Sequence, residues 1–456
     1  MKPELSLFQG FARCLRAEQE GFICTTVDLD PTANLPAKDT VELLVKVFEH
    51  SFNARKVCDI NDHEFSEMGG MLHIKRVIED ESRNWQVATR AKLAPTIPET
   101  QSLAQSQRPL KVEIGSLGSL DSLFFVDNTD IELPLVDNEV EIEIHAVGLN
   151  FRDVLVCLGE IPDDYLGNEC AGIVTKVGAT VQHLKVGDRV NALCQGAFST
   201  HVRNPGGVTY RIPDDMNFAT AASIPIVYVS AYYGIVNLSN LRRGESILIH
   251  SAAGGVGQAA IQIAQMIGAN IFATVGTREK REHLIATYGI KDDQIFSSRD
   301  LYFSSAVMKL TCGRGIDVIL NSLTGEALAE TWRCVAPFGR FIELGKKDIS
   351  KNRKLDMIQF KKNVMFASVD VALMEREAPM LARELLAEVM GLVRAGSIKE
   401  IAPVRTFPFS QMENALRLMQ SGKHIGKVVL ECAAMDQVQV SRRSVEYSSA
   451  RVNINR

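Results

Sequence analysis

Tryptophan is scarce in this chain, with 2 residues in 456, and all aromatics together reach only 7%. The nine cysteines are scattered and form no CxxC pair, which argues against a zinc ribbon, a thioredoxin-type redox motif or a disulfide-built scaffold. An odd, dispersed set of thiols fits a reduced, cytosolic setting in which most are small apolar core groups. No apolar run of about 18 residues is expected to span a membrane. The opening "MKPELSLFQGFARCLRAEQE" is charged along its length and lacks the apolar centre of a signal peptide. The formal net charge is only -5, with no basic stripe for nucleic acid and no acidic tail.

What is present is ordinary globular material, 46% hydrophobic and 23% charged, long enough for roughly three domains of about 150 residues. Residues 1–90 read as helix, strand, helix and short strands, with Leu7, Phe11 and Leu15 near helical spacing. They do not close a sheet, so they read as an α/β fragment that packs on something else. Residues 91–108 read as a linker. From residue 109 short strands and glycine turns dominate, and "NEVEIEIHAVGLN" alternates cleanly. From 225 strands and helices alternate. The strands "SILIH", "IFATVG", "QIFSS", "IDVILN", "GRFIELG" and "VMFASVD" predict a doubly wound parallel sheet. We bound that cofactor domain at 225–363 and assign 109–224 with 364–435 to a β-rich substrate domain, leaving 436–456 as a polar tail.

The stretch "HSAAGGVGQAAIQIA" carries the chemistry. Ile247 to Ile249 fill a buried strand. Ser251, Gly254, Gly255, Val256 and Gly257 then lead into an apolar-faced helix. Bare backbone there lets N–H groups approach a pyrophosphate, and the helix N-terminus adds its dipole. A plain strand-to-helix turn is the alternative; the preceding strand, the following helix and the next strand at the right distance favour the dinucleotide. NAD sites place an acid at the tip of that second strand. Here the tip reads Gly276, Thr277, Arg278, Glu279, Lys280, Arg281. Thr277, Arg278 and Lys280 suit a 2′-phosphate, so NADPH is the expected cofactor, although the same cations also suit a solvated helix start.

Taken with "GLNFRDVLVCLGEIP", "VILNSLTGEALAETWRCVAPFGRFIELGKKDIS" and "HIGKVVL", this loop resembles the enoyl reductase domains of fatty acid and polyketide synthases, within the medium-chain dehydrogenase/reductase superfamily. "GFARCLRAEQEGFICTTVDLD" and "RPLKVEIGSLGSLDSLFFVD" are similar to segments just upstream of that domain in fungal highly reducing polyketide synthases, the first to a structural ketoreductase subdomain. The resemblance implies an α/β fold in which a GroES-like substrate domain accompanies the Rossmann cofactor domain, with an N-terminal ketoreductase-like fragment. It also implies that the chain is a piece of a megasynthase.

Zinc-dependent alcohol dehydrogenases of the superfamily bind metal through Cys, His and Cys or Glu. In this chain Asn150 of "NFRD" and Asn168 of "GNECAG" stand where a Cys and a His would be, so no metal is expected. The implied reaction is hydride addition to the β-carbon of a 2-enoyl thioester on an acyl carrier protein, followed by protonation at the α-carbon. Lys346 and Asp370 are the implied proton sources, Asp370 lying two positions from the strictly aligned place. Asp370 has a second reading as a helix cap. Asn150 and Tyr165 are further candidates at the reacting end, with Arg152 and Asp153 read as an ion pair. Tyr288 joins the adenosine contacts; Asn321, Leu344 and Gly345 would flank the ribose and nicotinamide, and Lys427 would return near the cleft. Other synthase domains and a second copy of the chain are the implied partners, in the cytoplasm. A free quinone or enone oxidoreductase, or a scaffold module without turnover, are the alternatives.

Overall fold

The computed structural model describes residues 3–18, 24–30, 35–52, 63–74, 99–103, 108–433 and 435–441. The chain forms two compact units, Met1–Ala94 and Pro95–Arg456.

The first unit holds α1 (Pro3–Glu18), β1 (Thr26–Asp28), α2 (Ala37–Phe52), β2 (Glu64–Met68) and β3 (Met71–Ile74), with the strands in the order β1-β2-β3. Arg13 and Arg16 clamp Glu64 at 2.6 and 2.7 Å, and buried Glu67 accepts the amides of Asp30 and Gly70. Phe8, Phe11, Phe48 and Met71 stay exposed, so the expected Leu7–Phe11–Leu15 stripe does not bury Phe11.

The second unit begins with β4 (Glu99–Ser102), β5 (Leu110–Ile114), β6 (Leu123–Asp127), β7 (Glu139–Leu149), α3 (Phe151–Cys157) and β8 (Glu169–Val177). It continues through β9 (Arg189–Leu193), β10 (His201–Pro205), β11 (Thr209–Arg211), α4 (Phe218–Ala222) and α5 (Pro225–Tyr232). Then come β12 (Ser246–Ile249), α6 (Gly255–Ile267), β13 (Asn270–Val275), α7 (Arg278–Tyr288), β14 (Ile295–Ser297), α8 (Tyr302–Leu310) and β15 (Ile316–Asn321). The remaining elements are α9 (Glu326–Arg333), β16 (Val335–Glu343), β17 (Met365–Ser368), α11 (Val371–Glu377) after a short helical turn α10 (Lys347–Ser350), α12 (Pro379–Arg394), β18 (Val404–Pro408), α13 (Met412–Ser421), β19 (Lys427–Glu431) and β20 (Gln437–Val440).

The six predicted strands form one parallel sheet in the order β14-β13-β12-β15-β16-β17. This is the doubly wound order whose direction reverses between β12 and β15, where ligands sit beyond the carboxyl ends. The continuous apolar runs explain it, because strands covered by helices on both faces are buried on both. Ile247, Leu248 and Ile249 are all fully buried. The β-rich lobe is built on a seven-stranded sheet ordered β11-β9-β8-β7-β19-β18, with β10 also pairing with β7. β19 pairs with β7, so the end of the chain returns to close the first lobe.

Three expectations change. β17 pairs in register with β16, so the parallel sheet runs past the expected limit of 363. Residues 99–102, placed in the linker, and 437–440, placed in the tail, are strands paired with each other; alternation of Val438 and Val440 with polar neighbours is the signal that marks the second, while the first, Glu99–Ser102, is wholly polar. Residues 442–456 and much of 91–108 lie outside the described residues. Finally, Phe218–Leu238 is long and apolar enough to cross a membrane, contrary to expectation, but 78% of its most apolar window is buried inside the protein. It covers α4, α5 and the turn after them, the seam between the lobes.

Trp332 anchors one face of the parallel sheet. It is fully buried, with the rings of Phe341, Phe360 and Phe366 at 5.4, 5.3 and 5.8 Å, and its indole N–H donates to the Asp356 carbonyl. Trp332→Ala should cost about 3–5 kcal/mol in urea unfolding; a loss below about 1 kcal/mol would show that this cluster is not structural.

Candidate active site

The glycine loop leaves β12 through Ser251, held at φ +52°, and enters α6 at Gly254. A side chain at 257 would bring its Cβ within 2.5 Å of the Ala252 backbone, so only glycine lets the helix pack this close. Among the described residues no side chain caps α6. Its first amides are therefore left for a ligand, which is the arrangement a pyrophosphate needs. The loop is also tied to the other lobe. Gly254 bridges Gly426, and the Gly426 amide donates to the Ala253 carbonyl at 2.8 Å. Ser251 meets Ser322 at 3.0 Å across the switch point.

Past the tip of β13, Thr277 caps α7 by accepting the Lys280 amide. The Lys280 ammonium donates to the Gly422 carbonyl at 2.7 Å, and burial pulls its pKa down, helped by Arg299. Arg278 points to solvent and pairs with Glu282. Arg299 leans on the Gly276 carbonyl at 3.4 Å and is a cation that sequence reading missed. Its signal was topological: β14 lies beside β13, so residues after both strands share one edge. These three cations and the uncapped helix fit a dinucleotide carrying a 2′-phosphate. The Tyr288 hydroxyl is taken by the Gln258 carboxamide at 2.7 Å, and burial pushes it up to about 12.

At the carboxyl end of the sheet, Glu343 and Ser368 are register partners of β16 and β17. The residues just beyond them therefore converge. Lys346 lies 3.1 Å from Asp370 and also donates to the Val369 carbonyl at 2.6 Å. Asp370 accepts the Leu373 amide as well, so it both caps α11 and faces the lysine. Burial raises the Asp370 carboxyl, but Lys346 and the Leu373 amide outweigh it and hold it below the ordinary range. An ionised aspartate has no proton to give, whereas the adjoining ammonium does.

Asn321, Leu344 and Gly345 form the floor. The Asn321 side chain is fully buried and turned inward, donating to Glu343 at 2.6 Å and to the Leu323 carbonyl at 2.9 Å. The Leu344 amide donates to the Asn321 carbonyl, and the Gly345 amide to Glu343 at 2.5 Å.

In the β-rich lobe, Asn150 caps α3 with Asp153 as its reciprocal partner. Its side chain is engaged: the amide nitrogen donates to Glu169 at 2.9 Å, and the oxygen accepts from Lys427 at 2.6 Å. Glu169, adjacent to Asn168, was missed; an acid inside the apolar strand "ECAGIV" is the mark of a buried, paired charge. The expected Arg152–Asp153 pair does not form. Arg152 pairs with Asp163 and lies 6.0 Å from the Tyr165 ring centroid. Asp153 is instead buried on the amides of Asn150 and Gly167, where desolvation outweighs those bonds and pushes it up to about 6. The Tyr165 hydroxyl is buried with no hydrogen-bond partner among the described residues. Among the described residues no three His, Cys, Asp or Glu side chains gather as a metal cluster.

Comparison with known proteins agrees with this architecture. The "Alcohol dehydrogenase GroES-like domain" model matches residues 136–214, and the "Zinc-binding dehydrogenase" model matches 291–430. Highly-reducing polyketide synthase 1 of Aureobasidium melanogenum is 44% identical over 434 residues, 95% of this chain and 20% of that protein. The CurK enoyl reductase crystal structure matches 71% of this chain and 99% of its own, at 36% identity and a TM-score of 0.65. This chain belongs to the polyketide synthase enoyl reductases. The enoyl reductase spans about a fifth of the length of that fungal relative. A quinone oxidoreductase of Escherichia coli, complexed with NADPH, shares the fold at 25% identity and a TM-score of 0.61, over 71% of this chain and 99% of its own.

Burial lifts Glu343 from 4.5 to about 7, against the pull of Asn321 and the Gly345 amide. The folded enoyl reductase therefore holds this proton more tightly than the unfolded chain. Its contribution to stability is complete below about pH 4.5, falls as pH rises through that window, and is lost above about pH 7, by up to ~3 kcal/mol. Glu343→Gln should flatten that slope in urea unfolding followed from about pH 4.5 to 7.5. An unchanged slope would show that Glu343 does not titrate there.

Proposed function

We propose that the enoyl reductase uses NADPH to reduce the α,β double bond of a 2-enoyl thioester carried on an acyl carrier protein. The observation that carries this reading is the Lys346–Asp370 pair at the carboxyl edge of the sheet, just beyond β16 and β17. Bound nicotinamide would supply hydride. The chain's own groups supply position and a proton. The first amides of α6 would take the pyrophosphate, and Lys280, Arg299 and Arg278 the 2′-phosphate, by charge-assisted bonds.

Reduction at the β-carbon would send the double-bond electrons through the α-carbon to the thioester oxygen, where the chain's own donors would meet the charge. The Tyr165 hydroxyl, which has no hydrogen-bond partner among the described residues, suits that developing charge. Lys346 would protonate the α-carbon, completing the saturated thioester, and would regain its proton from water. Asp370 remains ionised and keeps the lysine in place. Reduction of a conjugated C=C bond needs no Lewis acid on its oxygen when such donors are present. The outer strand β17 leaves a sheet edge at which two copies would pair in a cytoplasmic homodimer.

Turnover of a crotonyl pantetheine thioester should proceed with NADPH and be at least about tenfold slower, in kcat/KM, with NADH. Lys346→Ala should lower kcat about 100-fold with little change in the KM for NADPH. Lys280→Ala and Arg299→Ala should each raise that KM about tenfold and leave NADH kinetics unchanged. Reduction of quinones without reduction of the thioester would replace this reading with that of a free quinone reductase.

A further inference from the structure

Lys427 is 3% exposed and its ammonium sits 2.6 Å from a carboxylate oxygen of fully buried Glu169. The same ammonium lies 2.6 Å from the Asn150 side-chain oxygen. Glu169 closes the triangle by accepting the Asn150 amide at 2.9 Å, and its second oxygen accepts the Ile226 amide in the first turn of α5. Four elements therefore meet on one buried charge pair: β19, β8, the cap of α3 and the start of α5.

The lysine is also fixed against the cofactor loop. A side chain at Gly255 would come within 3.4 Å of the Lys427 Cδ, so the lysine stem lies along the bare start of α6. Gly426, one residue before it, bridges Gly254, and the Lys427 amide donates to the Pro403 carbonyl. Lys427 thus touches the pyrophosphate loop with its stem and the β-rich lobe with its charge.

Stability alone gives a weak reason for such a pair, because burying two charges costs about as much as their attraction returns. A geometric task gives a better one. Hydride transfer depends on the donor and acceptor carbons being held to a fraction of an ångström, and a 1 Å error costs about 100-fold in rate. One lobe holds the reductant and the other carries Asn150 and Tyr165.

We propose that Lys427 is a positioning residue that sets the registry of the cofactor loop against the substrate lobe, through Glu169 and Asn150. This rests on the enoyl reductase reading above. Its substitution would disturb both cofactor binding and hydride transfer even where the fold is intact.

The test uses the full chain and the double variant Lys427→Met/Glu169→Gln, which removes both charges and leaves neither buried alone. Folding is checked by circular dichroism and melting temperature. The dissociation constant of NADPH, read by its fluorescence, should rise about tenfold. With crotonyl pantetheine, kcat should fall about 10- to 100-fold, and the kinetic isotope effect on kcat with NADPH deuterated at C4 should increase as hydride transfer becomes limiting. A loss of folded molecules would not move the isotope effect. NADPH affinity, kcat and isotope effect all within twofold of the parent, in a folded variant, would overturn the proposal. If the double variant does not fold, Asn150→Ala leaves the charge pair in place and should show the same direction in kcat and isotope effect; parent values there would overturn it equally. If the parent chain does not reduce the thioester, the reaction reading fails by itself, and the NADPH dissociation constants still decide the positioning role.

Discussion

The structure depends on one close approach: the backbone of Gly254 to Gly257 running against the end of β12 on one side and against Gly426 on the other. With a side chain at 257 the helix would have to move away from Ala252, and its free amides would no longer face the switch point of the sheet. With the bridge to Gly426 lost, the two lobes would share fewer fixed points. Most candidate groups lie just beyond the carboxyl ends of the parallel strands, from β14 to β17, or on α3, β8 and β19 of the neighbouring lobe.

Charge is distributed along the seam by burial. Asp370 is partly open, sits beside an ammonium and is held ionised. Glu343 and Asp153 are deep, and burial outweighs the hydrogen bonds they accept and the lysines nearby, pushing both toward neutrality. Glu169 and Lys427 are buried as well and meet each other directly at 2.6 Å. Four acids in one region thus take three roles, each set by its partners.

The fold was largely legible from the sequence, because apolar strands alternating with amphipathic helices have few alternatives to a parallel doubly wound sheet. The glycine loop was legible for the same reason: its spacing encodes a backbone constraint. Strand 99–102 was not, since it is short and wholly polar, and both it and strand 437–440 pair only with segments more than 300 residues away. Among site residues, the convergence of Lys346 and Asp370 followed from their places after adjacent strands. Asn150, Asn321 and Tyr288 could be placed near the seam, but not the bonds that turn their polar groups toward Lys427, Glu343 and Gln258. Such partners lie far away in the chain, so residue type and spacing carry no trace of them. Arg299 was missed because the adjacency of β13 and β14 is set by the fold, whereas Glu169 carried a mark, an acid within an apolar strand, that went unread.

The central claim, that this seam receives a phosphorylated nicotinamide cofactor with its reactive end turned toward Lys346, is tested most directly by a crystal structure of the chain with NADPH and a saturated acyl pantetheine. The account predicts the pyrophosphate on the amides of residues 255–257, the 2′-phosphate among Lys280, Arg299 and Arg278, and the nicotinamide C4 facing the acyl β-carbon with the lysine ammonium near the α-carbon. A 2′-phosphate directed into solvent, or a nicotinamide turned away from Lys346, would contradict it.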